Sequence, residues 1–337
     1  MYRHLLVPLD GSDLSIETVS RAVNLARTLG ARISFVHVHD RDAAPVDGNG
    51  EARPFASPGE HLEAYQERAH ALLTKAEAAA RALGVPCDSS IRVGDAPHEA
   101  ILDAARKGGC DLIFMASHSR QSSMGMPLGT QTLNVLTATE LPVLVTSTRN
   151  ADQAHPVVGV ICDQHRSLTT VLRAWLHLLD HGDREGAALE VDLMRSMAHY
   201  IAKFPLALGQ PREYDYLFLV LRSRTALVHA ELDELERQHE CERALAETLG
   251  CMVERYDQGQ ATRAQLRGAV ETYARFSWEH MGRVEGVILP AARRYLTEAD
   301  WNEIQSAAIH PEDSRARGAQ QAADQQLFSR IAHLAAR

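Results

Sequence analysis

Two regimes of apolar and polar spacing divide the chain. Up to about residue 147, short apolar runs closed by turn residues recur between longer amphipathic stretches. The first run, residues 4–9 (HLLVPL), ends in Asp10-Gly11-Ser12-Asp13. Runs of this kind predict buried parallel strands. Others follow at 33–38, 87–93, 110–117 and 141–147, with helices predicted at about 13–29, 59–83, 96–107 and from Gly129 onward. Ser12 or Asp13 caps the first helix and Gly30 stops it. Residues 40–57, rich in Asp, Ala, Pro and Gly, predict a loop. Five strands interleaved with four helices predict a doubly wound parallel sheet covered on both faces.

Beyond a polar linker at 150–156 the strand pattern stops. Helical spacing runs over 164–182, 187–204, 210–224, 225–256 and 260–293, and Pro205 is expected to break the second of these. Long helices with short connections predict an up-down four-helix bundle whose sites are built from inward side chains. Residues 311–337 begin as a polar linker and end with Leu327, Ile331 and Leu334 at helical spacing, a tail helix that docks on the bundle or on a partner. The expected domains are therefore 1–149 (α/β), 157–310 (all-α) and the tail 311–337.

Composition narrows the function. The 337 residues carry a net charge of −9, 45% hydrophobic and 23% charged residues. That mix is globular, and it offers no basic footprint for nucleic acid. No apolar run approaches the ~20 residues that cross a bilayer, and the N-terminal run is too short for a secretory signal. Five cysteines without a CxxC pair point to a reducing compartment, so a cytoplasmic location is expected.

Candidate chemistry in the first half lies at strand ends, because open parallel sheets bind ligands outside the carboxyl ends of their strands. One such end is Pro8-Leu9-Asp10-Gly11-Ser12. The other is the small-residue loop from Met115 to Thr132, which feeds a helix N-terminus. A loop of this kind cradles phosphate, with Gly129 allowing close approach, Thr130 adding a hydroxyl and Arg120 a cation. The plainer alternative is a loop in which Thr130 only caps a helix. His37 and His39 read as packing or edge residues.

The stretches VPLDGSD, FVHVHD, ASHSRQSSMGMPLGTQT and LPVLV resemble the universal stress protein family over about 1–148. The resemblance implies an adenine nucleotide alpha hydrolase-like fold that takes ATP or AMP with Mg2+. It implies Asp10 and the backbone of Val38 at adenosine, Ala116 and Ser119 along the phosphates, and Gly129 and Thr130 at the phosphate end. It also implies a homodimer through the last strand, 141–146. The family's loop pattern, Gly-x2-Gly-x9-Gly-[Ser/Thr], reads Ala116-x2-Ser119-x9-Gly129-Thr130 here, so its first two glycines are replaced.

In the second half, His165, Glu213, His239, His280 and Glu285 fall on predicted helices. One imidazole from each of three helices plus a carboxylate is a metal-ligand set if all face the axis. The plainer alternative is histidines that are solvated or hydrogen-bonded. The stretches MRSMAHYIAKFP, QPREYDYLFLVLRSR, LDELERQHE and HMGRVEGVILPAARRYLTEADW resemble the hemerythrin-like HHE cation-binding domain over about 160–310. That resemblance implies a non-haem di-iron centre, with His165, Glu213, His239, His280 and Glu285 at ligand positions. Two departures count against the di-iron form and leave either a single metal or a decayed site packed with apolar and hydrogen-bonded groups. The family's HHPKE run reads Gly209-Gln210-Pro211-Arg212-Glu213, and its His-x3-Glu-Glu reads His280-x3-Val284-Glu285. On a regular helix the +4 position lies about 40° from the His and the +5 position about 140°.

Together these readings predict a cytoplasmic stress-response protein that binds adenine nucleotide in one half and a metal or small oxidant in the other, both sites partly degenerate. The nucleotide loop has no Walker lysine and no positioned general base, so binding and sensing are expected rather than catalysis. The alternatives are a non-haem iron redox or iron–sulfur repair enzyme, and a scaffold or dimerisation protein with decayed sites.

Overall fold

The computed structural model describes residues 1–39, 58–117, 128–146, 155–181, 191–207 and 211–308. The chain divides into two compact units, one formed by Met1–Ala154 together with Glu279–Pro290 and the other by the remainder.

The first unit is the expected doubly wound sheet. Its strands are β1 (His4–Leu9), β2 (Arg32–His39), β3 (Cys87–Val93), β4 (Leu112–Ala116) and β5 (Val143–Thr146), all parallel, in the order β3-β2-β1-β4-β5. The helices between them are α1 (Asp13–Leu29), α2 (Pro58–Ala82), α3 (Pro97–Gly108) and α4 (Thr130–Ala138). Successive strand residues point to opposite faces. Leu5, Val7, Leu9, Ile33 and Phe35 therefore enter one core with Val19, Val23 and Ala26 of α1 and Leu73, Ala76 and Ala79 of α2. Leu6, Val36, Ile113 and Met115 enter a second core with Ile101 and Ala104 of α3 and Val135 of α4. Burial on both faces is why these strands read as near-continuous apolar runs. Ser12 caps α1, its Oγ accepting from the Ser15 N–H at 3.2 Å. Gly30 ends the helix at φ 65°, its N–H bonded to the carbonyls of Ala26 and Arg27.

Glu279–Pro290 packs within this unit. A Cβ at Gly282 would stand 2.3 Å from the Lys75 carbonyl oxygen, so only glycine permits the approach. Lys75 Nζ donates to Glu285 Oε1 at 3.0 Å and Oε2 at 3.3 Å.

The second unit is helical. The elements over this stretch are α5 (Pro156–His181), α6 (Val191–Ala207), α7 (Pro211–Arg224), α8 (His229–Asp257), α9 (Arg263–Arg283), a π-helical turn (Val284–Ile288), α10 (Leu289–Tyr295) and α11 (Glu298–Ala308). α6 packs along α8, and α7 along α11. Leu232, Leu235, Glu242, Ala246, Leu249 and Val253 form the buried stripe of α8, at the 3-4 spacing of an inward face.

Four expectations change here. α5 starts at Pro156 rather than 164, because Val157, Val158 and Ile161 carry the buried face back to a proline suited to a first helical position. α6 continues past Pro205 to Ala207, since a proline in the last turn removes a single bond before the helix ends. The continuous helix expected at 260–293 is interrupted by the π turn. α11 is an element absent from the expected scheme. It starts on a reciprocal cap, the Thr297 N–H donating to Asp300 Oδ2 at 2.8 Å and the Asp300 N–H to Thr297 Oγ1 at 3.3 Å. The expected tail helix at 311–337 lies outside the described residues.

Candidate functional site

The strand order reverses between β1 and β4, and sheets of this class take ligands at such a topological switch, outside the carboxyl ends of the strands. Asp10 follows β1 directly. Its Oδ1 accepts from the Ser12 N–H at 2.9 Å and the Ser12 Oγ–H at 2.6 Å. Gly11 turns the chain at φ 77°, where a side chain would be strained. On the neighbouring strand, His37 Nδ1 lies 2.6 Å from the Leu9 carbonyl oxygen. Val38, half-buried, is the next-to-last residue of the same strand.

Across the switch, Ala116 ends β4 and is buried. The chain re-enters the described residues at the start of α4. The Gly129 N–H donates to the Ser117 carbonyl at 2.7 Å, and the Ser117 N–H to the Thr146 carbonyl at 2.7 Å. The Thr132 hydroxyl shares its proton between the carbonyls of Ala116 (3.0 Å) and Ser117 (3.2 Å). Gly129 is buried, and Thr130, the first residue of α4, is exposed. No side chain caps this helix start. Of the expected nucleotide residues, Asp10, Val38, Ala116, Gly129 and Thr130 thus border the carboxyl ends of the sheet. Ser119 and Arg120 lie outside the described residues.

Sequence reasoning missed the roles of Thr132 and His37. Thr132 stands in the first turn of α4, where a short hydroxyl reaches back to the preceding loop. His37 and His39 share a strand face with Ile33 and Phe35, which already marks them as inward. Both are buried, and the Tyr65 ring of α2 lies against both, with centroids 5.1 Å from His37 and 3.7 Å from His39. Burial holds the His37 pKa below its ordinary value, against the opposing pull of the Leu9 carbonyl and Asp10.

The expected metal ligands are placed less favourably. His165 and His280 are buried, at 3% and 8% exposure. His239 is half-exposed and lies parallel to the Phe218 ring at 6.1 Å. Glu285 is held by Lys75. The Glu213 side chain lies outside the described residues. Among the described residues no three His, Cys, Asp or Glu side chains gather to hold a metal ion. Tyr216 donates its hydroxyl to Glu303 of α11 at 2.5 Å.

The helical unit instead buries a carboxyl that sequence reasoning passed over. Glu242 of α8 accepts from the Tyr273 hydroxyl of α9 at 2.9 Å. Burial pushes Glu242 above the ordinary carboxylate range, partly offset by that bond. Its seven-residue spacing from Leu235 and Leu249 was the available signal.

Comparison with known proteins adds to this picture. Residues 1–147 match the universal stress protein family. Over 147 residues the chain is 35% identical to a universal stress protein of Thermus aquaticus, covering 43% of this chain and 98% of the relative. It is 27% identical over 148 residues to a universal stress protein of Methanocaldococcus jannaschii, covering 43% of this chain and 82% of the relative. Among solved structures, the universal stress protein from Archaeoglobus fulgidus in complex with dAMP is similar at 19% identity and a TM-score of 0.31, over 43% of this chain and 97% of that one. Among the described residues no helix is long and apolar enough to cross a membrane.

Proposed function

Because this chain belongs to the universal stress protein family through residues 1–147, we propose that its α/β unit binds an adenine nucleotide in the crevice between the ends of β1 and β4. Asp10 and the backbone of Val38 hold the adenosine end. Ala116, Ser119, Arg120, Gly129 and Thr130 line the phosphate end, where Mg2+ accompanies ATP. The observation that carries this reading is the switch point itself, which sets the Asp10 carboxylate and the start of α4 at the same end of the sheet. The uncapped start of α4 presents backbone N–H groups and the positive end of the helix dipole, which suits an anion. Alanine and serine in place of two loop glycines favour a weaker nucleotide site than the family pattern would give.

The role is binding and sensing in a stress response rather than turnover, since the loop sequence offers no lysine or positioned base for phosphoryl transfer. Thermal denaturation with and without millimolar ATP and Mg2+ tests the reading. A ligand that binds only the folded state raises Tm by mass action. A rise that Asp10→Ala removes supports the proposal, and an unchanged Tm in the wild-type protein refutes it.

A second copy of the chain is the proposed partner of the sheet edge. β5 is an outer strand, and Leu144 on it is 40% exposed. An open edge with an exposed apolar side chain is a template for pairing. Light scattering on the wild type should give a dimer, and Leu144→Lys should shift it towards monomer.

For the helical unit, the hemerythrin-like four-helix reading would place a metal or small oxidant among His165, Glu213, His239, His280 and Glu285. The described residues do not fit such a centre. Glu285 is engaged with Lys75, His239 lies against Phe218, and no three ligands gather. Metal analysis of protein purified without chelator tests this assignment, and stoichiometric iron with a visible absorption band would restore the metal reading.

A further inference from the structure

Asp10 is held from two directions. Downstream, Ser12 fixes its carboxylate through the backbone N–H and the hydroxyl. Upstream, the carbonyl of Leu9, the residue immediately before it, is taken by His37 Nδ1 at 2.6 Å. A carbonyl oxygen carries no proton, so Nδ1 must supply it, and the neutral ring keeps its lone pair on Nε2. The ring itself is clamped. Tyr65 lies on it at 21° between ring planes, and His39 backs the same tyrosine at 3.7 Å. His37 is 7% exposed, so the bond is shielded from competing water.

A purely apolar side chain would fill the same space without anchoring the last carbonyl of β1. We propose that His37 is the positioning residue of the nucleotide site: its Nδ1–H pins the Leu9 carbonyl and thereby fixes where the Asp10 carboxylate stands at the mouth of the crevice. This rests on the nucleotide reading for its functional consequence, though the positioning itself is a property of the chain. The donor is what matters, and asparagine carries an N–H at nearly the same distance from the backbone as Nδ1. Leucine fills the space without it.

The test compares full-length wild type, Asp10→Ala, His37→Asn and His37→Leu by calorimetric titration with ATP and Mg2+, and by hydrogen exchange of the Ser12 amide. That amide is bonded to Asp10 Oδ1 and reports the carboxylate whether or not a nucleotide binds. His37→Leu should weaken ATP binding roughly tenfold, the worth of one buried hydrogen bond. It should also speed Ser12 exchange by a similar factor, while His37→Asn stays near wild type in both. Equal behaviour of the Asn and Leu variants, or wild-type Ser12 exchange in His37→Leu, overturns the proposal. If wild type and Asp10→Ala are alike in failing to bind ATP while Ser12 exchange still follows His37, the nucleotide reading fails and the positioning role stands. Should His37→Leu not fold, Tyr65→Leu frees the ring without removing the donor. It should raise Ser12 exchange by a smaller factor, and no change there counts against the proposal.

Discussion

Burial shifts ionisable groups of opposite kind in the two units. In the α/β unit two of them are imidazoles. His37 donates to a backbone carbonyl, and His4 Nε2 meets Ser34 Oγ at 2.8 Å. Burial holds both rings below their ordinary pKa. In the helical unit one of them is a carboxyl, Glu242, and burial pushes it up. Removing either kind of group from water disfavours its charged form, so the shifts point in opposite directions for one reason. A buried acid or imidazole is therefore no evidence of a metal site by itself. In both units hydrogen bonds to ordinary polar groups satisfy it.

The comparison is tested most severely by truncating each core. Trp175→Ala, at a side chain with no exposure, should cost about 3–5 kcal/mol. All three tryptophans (Trp175, Trp278 and Trp301) belong to the helical unit. The fluorescence of the remaining two therefore reads the urea midpoint of that unit. Phe35→Ala should do the same to the α/β unit, read as faster alkylation of the buried thiol of Cys110.

A smaller effect tests the buried acid. Tyr273→Phe removes the donor from Glu242 and should cost about 1–3 kcal/mol, while Glu242→Gln, which still accepts from Tyr273, should cost less. Equal losses would mean that packing and not the bond holds this pair. Smaller again is the cap of α11. Thr297→Ala should cost about 0.5–2 kcal/mol, visible as a lower urea midpoint without loss of cooperativity.

The gentlest test changes only pH. The unfolded His37 and His4 bind protons near their ordinary value of 6.5 while the folded rings resist. Their contribution to stability is therefore present above pH 6.5 and is lost as pH falls through the lowered folded values. Glu242 runs the other way. Its contribution is full below its ordinary 4.5 and is lost as pH rises through its raised folded value. Cys110 alkylation should accelerate on acidification, after correction for thiolate content, and Glu242→Gln should flatten the alkaline limb of the tryptophan-monitored midpoint. Parallel pH profiles for the two units would dissolve the contrast.

Legibility differs between the units for the same reason. Every strand of the sheet was visible, because burial on both faces leaves apolar runs and the connections leave Ser12 and Gly30 as local stops. The inward place of Glu242 and the cap of α11 were also present in the spacing, as Leu235-Glu242-Leu249 and Thr297-x-x-Asp300. The expected ligand set was not decidable in this way. Lys75 and Glu285 are 210 residues apart, and no periodicity announces that they pair. The π turn at Val284–Ile288 also cancels the 100° arithmetic used to aim Glu285.

By itself the sequence determined the alternation of strands and helices, the caps that bound α1, and the family of the first half, because all of these rest on neighbours a few residues apart. Tertiary structure alone decided which atoms Asp10, His37, His239 and Glu285 meet. Those partners come from other strands and helices, and a side chain's chemistry follows from what surrounds it once water has been excluded.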